Sequence, residues 1–356
     1  MSTEKLTGIA DCDIHPTVRT MAELEPWLSR QWIEHFRTYG ALRNTQYVSG
    51  APYHKSQPNA SRRDAYPPEG GPQGSSLAFL RTQLLDQHSI GFGILNPLVQ
   101  AQGVRNLAHS AALCRALNHW QAETWVANEP RLRASIVVPY EDPEASAEEI
   151  RHWAGNAAFV QVLLLSRTSF PTGNKRYWPI FGAAVEAGLP VGIHAFGNSG
   201  WPVSNVGWPS FYLEEMVGHA QTSQSGLVSL VVEGVFERWP ALKVVLIESG
   251  FTWAPSLMWR LDHAFRTLRS EVPHLKLLPS EYVRRNVWWT SQPLDEPENK
   301  RYLADMFNWL GWDKIMFSSD YPHWDFDDPA RVIAFPASDE DRRKFFIGNA
   351  RHVYGA

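Results

Sequence analysis

The sequence predicts an α/β protein folded as a (β/α)8 barrel of the TIM type, and three observations predict it. Eight short runs rich in β-branched and apolar residues alternate with longer stretches in which apolar residues recur every three or four positions. That alternation is the mark of repeated strand–helix units around a parallel sheet. The first run ends in Asp13-Ile14-His15-Pro16, where an open, doubly wound sheet would usually place a glycine-rich turn to hold a phosphate. Ionisable residues also fall at the ends of several runs, and a closed barrel gathers such ends on one face.

Taken in order, the strands are expected at 8–13, near 91–96, at 133–139 (RASIVVP) and at 159–165 (FVQVLLL). The remaining four are 190–194 (PVGIH), 243–249 (KVVLIES), 286–290 (NVWWT) and 314–320 (KIMFSSD). Helical periodicity lies between them at 104–128, 142–153, 177–187, 225–239 and 255–268. Between about 40 and 76 the periodicity gives way to Pro, Gly, Ser, Asn and Arg, over a length too great for an ordinary connection. This is read as an insertion after strand one that leaves from the C-terminal mouth of the barrel, as a lid, a dimer contact or a surface excursion. No repeat or change of composition divides the chain, so residues 1–356 are expected to form a single domain.

Composition narrows the class of function. Hydrophobic residues make up 44% and charged residues 20%, which excludes disordered and fibrous proteins. Thirty-three Lys and Arg against 37 Asp and Glu give a net charge of −4 with no long run of either sign, so nothing attracts nucleic acid or an anionic membrane. No apolar run reaches the ~18 residues of a membrane helix, and the N-terminus carries no hydrophobic signal stretch, so a cytoplasmic protein is expected. Cys12 and Cys114 match no disulfide framework or metal-binding pair. The 16 Trp exceed what a core of this size needs, and some are expected to line a pocket for a small-molecule substrate.

The polar residues that can carry chemistry stand at strand ends. Asp13 and His15 close strand one, His194 strand five, Glu248 strand six and Asp320 strand eight. Asp13 and His15 are two apart, so in extended backbone their side chains point to the same side and can grip one cation. Two histidines and two carboxylates suit a divalent Zn, Mn or Fe ion with a position left open. Each residue alone has an ordinary alternative, such as a turn cap for Asp13 or an Asx turn for Asp320 before Tyr321-Pro322. Their joint placement favours a mononuclear metal site. Glu248 is read as catalytic or as a support beside the metal, and otherwise as the partner of a nearby Arg or backbone group. His323, three residues past Asp320, either assists catalysis or bonds a loop carbonyl. Arg167, after strand four, could clamp a substrate carboxylate or form a surface ion pair. Trp201, Trp208 and Trp253 could wall a flat substrate or serve packing, and Tyr53 and His54 in the insertion could close over the site.

These residues resemble a known family. Asp13-Ile14-His15-Pro16, His194, the stretch from Glu248 through Pro255, and Phe317-Ser318-Ser319-Asp320-Tyr321-Pro322-His323 look like the amidohydrolase superfamily. Together with Gly234-Val235-Phe236-Glu237-Arg238-Trp239-Pro240, they resemble its amidohydrolase-related branch, which includes aminocarboxymuconate-semialdehyde and γ-resorcylate decarboxylases. The resemblance implies that His15, His194 and Asp320 are metal ligands, with Asp13 where relatives place the first His or a Glu of the strand-one pair. It implies one divalent transition metal, zinc before manganese or iron, although a carboxylate at Asp13 shifts the preference from zinc toward manganese. It also implies a homodimer. This chain departs from the pattern at strand six, where decarboxylase relatives usually carry a His and Glu248 stands instead. That departure leads to the expectation of a metal-dependent hydrolase acting on a small cyclic or aromatic substrate through a metal-activated water. In that reading Asp320 carries the proton and Glu248 or His323 assists. Non-oxidative decarboxylation of an aromatic or enoic acid is the alternative.

Overall fold

The computed structural model describes residues 8–39, 60–99, 101–195, 204, 207 and 209–355. Eight parallel strands form one sheet in sequence order: β1 (Ile9–Ile14), β2 (Ile90–Leu95), β3 (Leu132–Val137), β4 (Phe159–Leu165), β5 (Val191–His194), β6 (Val244–Ile247), β7 (Val287–Thr290) and β8 (Ile315–Met316). The ring closes where β1 meets the segment after β8. There Cys12 donates its backbone N–H to the Phe317 carbonyl (3.0 Å) and His15 donates to Tyr321 (2.8 Å). Every residue of β4 is buried, as both faces of a barrel strand must be, which is why its sequence is a nearly continuous apolar run.

Helices wrap the ring: α1 (Arg30–Tyr39), α2 (Leu107–Trp120), α3 (Pro143–Trp153), α4 (Trp178–Glu186), α5 (Tyr212–Val232), α6 (Ala254–Leu268), α7 (Pro279–Asn286), α8 (Lys300–Leu310) and α9 (Asn349–Tyr354). Side-chain caps start several of them. Asn106 accepts from His109 N–H ahead of α2, and Asp142 accepts from Ala145 N–H ahead of α3, whose first residue is Pro143. The α9 helix packs at the N-terminal end of the barrel, where Lys243, just before β6, donates to the His352 carbonyl at 2.6 Å. No helix among the described residues is long and apolar enough to cross a membrane.

The expected (β/α)8 barrel is the observed fold, with local differences in several elements, among them strand six, which ends at Ile247 and not Ser249. The helix expected at 225–239 begins at Tyr212, because a polar opening turn masks its periodicity, and it ends before Gly234, whose φ of +85° breaks it. The helix expected to reach 128 leaves regular α geometry after Trp120. The eighth strand, expected to run to Asp320, stops at Met316. The chain must turn there so that Asp320 can adopt a φ of +62°, which no strand accommodates.

Residues 40–59 of the expected insertion lie outside the described residues, and residues 60–76 form part of the barrel mouth. Ser61 bridges to His323, Arg62 donates its N–H to the Pro322 carbonyl (2.8 Å), and Trp324 donates to Ala60 (2.8 Å). Gly74 presses on the backbone behind His15: a Cβ there would lie 2.5 Å from the His15 carbonyl oxygen, and the residue has a φ of +74°.

Candidate metal centre

The strand ends and the turn after β8 bring six side chains with nitrogen or carboxylate donors to one spot at the mouth. Asp13, His15, His194 and Glu248 can each offer one ligand atom within 4.8 Å of all the others, and so can His15, Glu248, Asp320 and His323. His15 and Glu248 belong to both groups. The β1 pair emerges as its alternation requires, with Asp13 Oδ1 lying 3.4 Å from His15 Nε2. His15 donates Nδ1–H to the Asn96 backbone carbonyl at 2.7 Å, so Nε2 is the nitrogen left to face the other donors. That Nε2 is 2.7 Å from Asp320 Oδ1. Across the site, His194 Nε2 is 2.9 Å from Glu248 Oε2 and 3.7 Å from Asp13 Oδ2.

Two of the carboxylates sit on left-handed backbone. Glu248, directly after β6, has a φ of +51°, and Asp320 has a φ of +62°. Neighbouring elements hold both turns. Thr290 at the end of β7 accepts the Glu248 N–H at 3.1 Å, and Asp13 accepts the Asp320 N–H through its carbonyl at 3.2 Å. Asp11, inside β1, accepts from the Ser319 N–H (2.9 Å) and the Ser319 hydroxyl (2.5 Å), which ties the β8 turn to β1.

The electrostatics fit a cation. Burial would push Glu248 up, but His194 and His219 outweigh it and hold Glu248 well below the usual carboxylate range. Burial likewise opposes the ionised form of Asp13, yet His15 and His194 hold it ionised. Burial alone would lower His194, whereas Glu248 and Asp13 push it up to about 9. Without a metal, protons on histidines balance buried carboxylates, the role that a divalent ion takes over once it binds. Asp13 Oδ2 is buried without a hydrogen bond among the described residues, as an atom awaiting a ligand would be, and Asp320 Oδ2 is likewise without one. Asp320 differs from its neighbours, because burial and the nearby Glu248 push it well above the carboxylate range. His323 donates Nδ1–H to Asp320 Oδ1 at 2.6 Å and stacks on the His15 ring at 4.5 Å. Burial and the adjacent His15 push it down to about 3.

The other residues singled out from the sequence lie as follows. Arg167 is buried and donates to Glu215 on α5 at 2.7 Å. Trp253 donates its indole N–H to the Ser249 carbonyl at 2.8 Å, just past β6. Trp201, Trp208, Tyr53 and His54 lie outside the described residues. Sequence reasoning missed His219, whose Nδ1 is 3.5 Å from Glu248 Oε1. The signal for it was a polar stripe at helical spacing, Glu215, His219 and Ser223, all buried on α5. It also missed Asn96, which touches both β1 donors.

Comparison with known proteins agrees with this fold. γ-Resorcylate decarboxylase of Polaromonas sp. strain JS666 is 26% identical over 286 residues, covering 77% of this chain and 86% of that enzyme. An amidohydrolase of Mycobacterium avium subsp. paratuberculosis K-10 shares the fold with a TM-score of 0.74 at 23% identity, over 98% of this chain and 99% of the other. A dihydroxybenzoic acid decarboxylase from Polaromonas sp. JS666, solved with bound manganese and the inhibitor 2-nitroresorcinol, has a TM-score of 0.68 at 21% identity, over 98% and 97% of the two chains. The sequence pattern of the amidohydrolase family matches residues 10–356, from within β1 to the end, and this enzyme chain therefore belongs to the amidohydrolase family.

Proposed function

We propose that the chain is a metal-dependent, non-oxidative decarboxylase of a hydroxylated aromatic acid. The observation that carries the reading is the pair of overlapping donor groups at the strand ends. Similarity to a γ-resorcylate decarboxylase over most of the chain favours loss of carbon dioxide over the hydrolysis expected from Glu248 alone. In this reading Asp13, His15, His194 and Asp320 hold one ion, with Glu248, common to both groups, as a further donor. A donor set this rich in carboxylate, and the manganese in a structural neighbour, favour manganese over the zinc ranked first from the sequence. When bound, the ion would supply positive charge that attracts an anionic substrate and polarises its oxygen.

The chain's own residues handle the proton. Asp320 Oδ1 is engaged by His323, and Oδ2 has no hydrogen bond among the described residues, so a proton held on Oδ2 is available to the substrate. Delivered to the ring carbon that bears the carboxylate, it makes that carbon tetrahedral. The carbon–carboxylate bond then breaks, its electron pair returns to the ring, and carbon dioxide leaves. The net change is one carboxylate and one proton converted to ring C–H and CO2. His323, against Asp320 and only partly covered, returns a proton from solvent.

The glutamate at strand six does not remove histidine from this part of the site, because His219 reaches Glu248 from α5. This meets the objection to decarboxylation raised by the missing strand-six His. The experiment is incubation of manganese-loaded protein with γ-resorcylate in D2O, with CO2 and ring deuteration followed by mass spectrometry. Carbon dioxide and one ring deuterium per turnover are expected. Hydrolysis of lactones or cyclic amides, with no CO2 from any hydroxybenzoate, would restore the hydrolase reading.

A further inference from the structure

Asn96 stands directly after β2, where the strand meets the metal centre, and it is fully buried. Its backbone carbonyl accepts from His15 Nδ1 at 2.7 Å, and its side-chain Nδ2 donates to Asp13 Oδ1 at 2.9 Å and to the Cys12 carbonyl at 3.2 Å. One residue thus grips both β1 side chains of the proposed metal site. Its backbone fixes His15 Nδ1 and so turns Nε2 toward the site, and its side chain occupies one oxygen of Asp13 while leaving Oδ2 without a hydrogen bond among the described residues.

The orientation of the Asn96 amide is itself dictated. Its Oδ1 accepts from the Ser135 hydroxyl at 2.7 Å and from Gln161 Nε2 at 3.0 Å. A flipped amide would set its oxygen against the Cys12 carbonyl and the Asp13 carboxylate, acceptors all, with no hydrogen between them. Ser135 and Gln161 are register partners on β3 and β4, and Gln161 Nε2 also donates to the Ser135 hydroxyl at 2.9 Å. The Gln161 carbonyl oxygen accepts from Tyr354 on α9 at 3.2 Å. Gly192 on β5 leaves the room this needs, since a Cβ there would lie 2.5 Å from Gln161 Cδ. The hydrogen bonds run unbroken from α9 through β4, β3 and β2 to Asp13, across the inside of the barrel.

We propose that Asn96 is a positioning residue of the metal centre, orienting Asp13 and His15 together, with its amide set by Ser135 and Gln161. The inference rests on the metal reading above. A partner that orients a metal ligand typically contributes 10–100-fold to metal affinity, because the ligand otherwise samples unproductive rotamers. Replacing the donor by an acceptor of the same shape, Asn96→Asp, sets two carboxylates against each other without opening a cavity.

The test is Mn2+ affinity by competition with a fluorescent chelator, measured with the melting temperature of the metal-free protein, on the full chain. The variants are Asn96→Asp, Ser135→Ala and Val162→Ala, the last a buried β4 residue that serves as a packing control. Asn96→Asp is expected to weaken Mn2+ binding by about 10–100-fold. Ser135→Ala should weaken it by a smaller factor, and Val162→Ala should lower the melting temperature with affinity held within two-fold. Unchanged affinity in both Asn96→Asp and Ser135→Ala overturns the inference. Equal loss in Val162→Ala also overturns it, since general loosening then suffices. Loss in Asn96→Asp alone overturns the orienting role of Ser135. Should Asn96→Asp fail to fold, Ser135→Ala carries the test. A parent chain that binds no Mn2+ or other divalent metal defeats the metal reading itself and the inference with it, a result distinct from variants that bind as the parent does.

Discussion

Glu248 and Asp320 are two of only four described non-glycine residues with left-handed backbone, and both carry carboxylates into the same site. Side chains other than Gly, Asn and Asp enter that region at a cost, so the surrounding bonds must over-determine it. Thr290, Asp13 and the Asp11–Ser319 pair supply them. This makes Asp320→Asn an informative substitution, because Asn accepts a positive φ as well as Asp does, and the backbone survives while the transferable proton is lost. We expect CO2 release to fall by about 10²–10⁴-fold with the protein folded and Mn2+ still bound, though more weakly. Turnover within ten-fold of the parent, measured by CO2 evolution, would remove Asp320 as the proton carrier. Asp13, His15, His194 and Asp320 were legible in the sequence because each ends an apolar run. His219 was not, because its role depends on a helix face meeting Glu248, and Asn96 was not, because an amide at a strand end carries no charge pattern of its own.

At the scale of elements, local periodicity located the strands, and what lies just past a strand end required the fold. The junction before β3 shows how charge holds such an end. Glu129 accepts from Arg131 Nε at 2.9 Å and from Arg81 Nε at 2.8 Å, while Arg131 also reaches Asp86 at 2.8 Å. Arg131 foremost, against the opposing effect of burial, pulls Glu129 down from its ordinary 4.5 to about 2. A carboxyl whose folded pKa is depressed stabilises the native state fully above its unfolded pKa, and that contribution is lost as pH falls through the folded value. Glu129→Gln is therefore expected to destabilise the protein by about 1–2 kcal/mol near pH 7, the difference shrinking between pH 4.5 and about 2. Urea denaturation of both proteins across that range checks it, and a pH-independent difference would mean that shape, not charge, accounts for the loss. The strand whose length was most misjudged, β8, fails for a related reason. Residues 317–320 have the composition of a strand, yet Asp11 and Asp13 bend them into the site.

The whole molecule is a barrel whose closure assembles its own candidate metal centre, since the bonds that join β1 to the chain after β8 are also those that set Asp13 beside Asp320. Folding and metal binding should therefore be linked. A ligand present at about a thousand times its Kd adds about 4 kcal/mol to stability, which for a chain of this size is roughly 4–8 °C in Tm. We expect saturating Mn2+ to raise the melting temperature by that amount, EDTA to reverse it, and His194→Ala to abolish the response. Equal melting curves with Mn2+ and with EDTA in the parent would contradict the linkage. By itself the sequence determined the barrel, the order of its strands, the family and the charged residues at the strand ends, because each of these is a periodicity or a motif written over a few neighbouring positions. Tertiary structure alone decided that His15 offers Nε2 and that His219 joins Glu248. It also decided that residues 60–76 wall the mouth, and that a chain of hydrogen bonds from Tyr354 through Asn96 ends on Asp13. These are contacts between residues far apart in the chain, and no local pattern encodes the direction in which a side chain will find its partner.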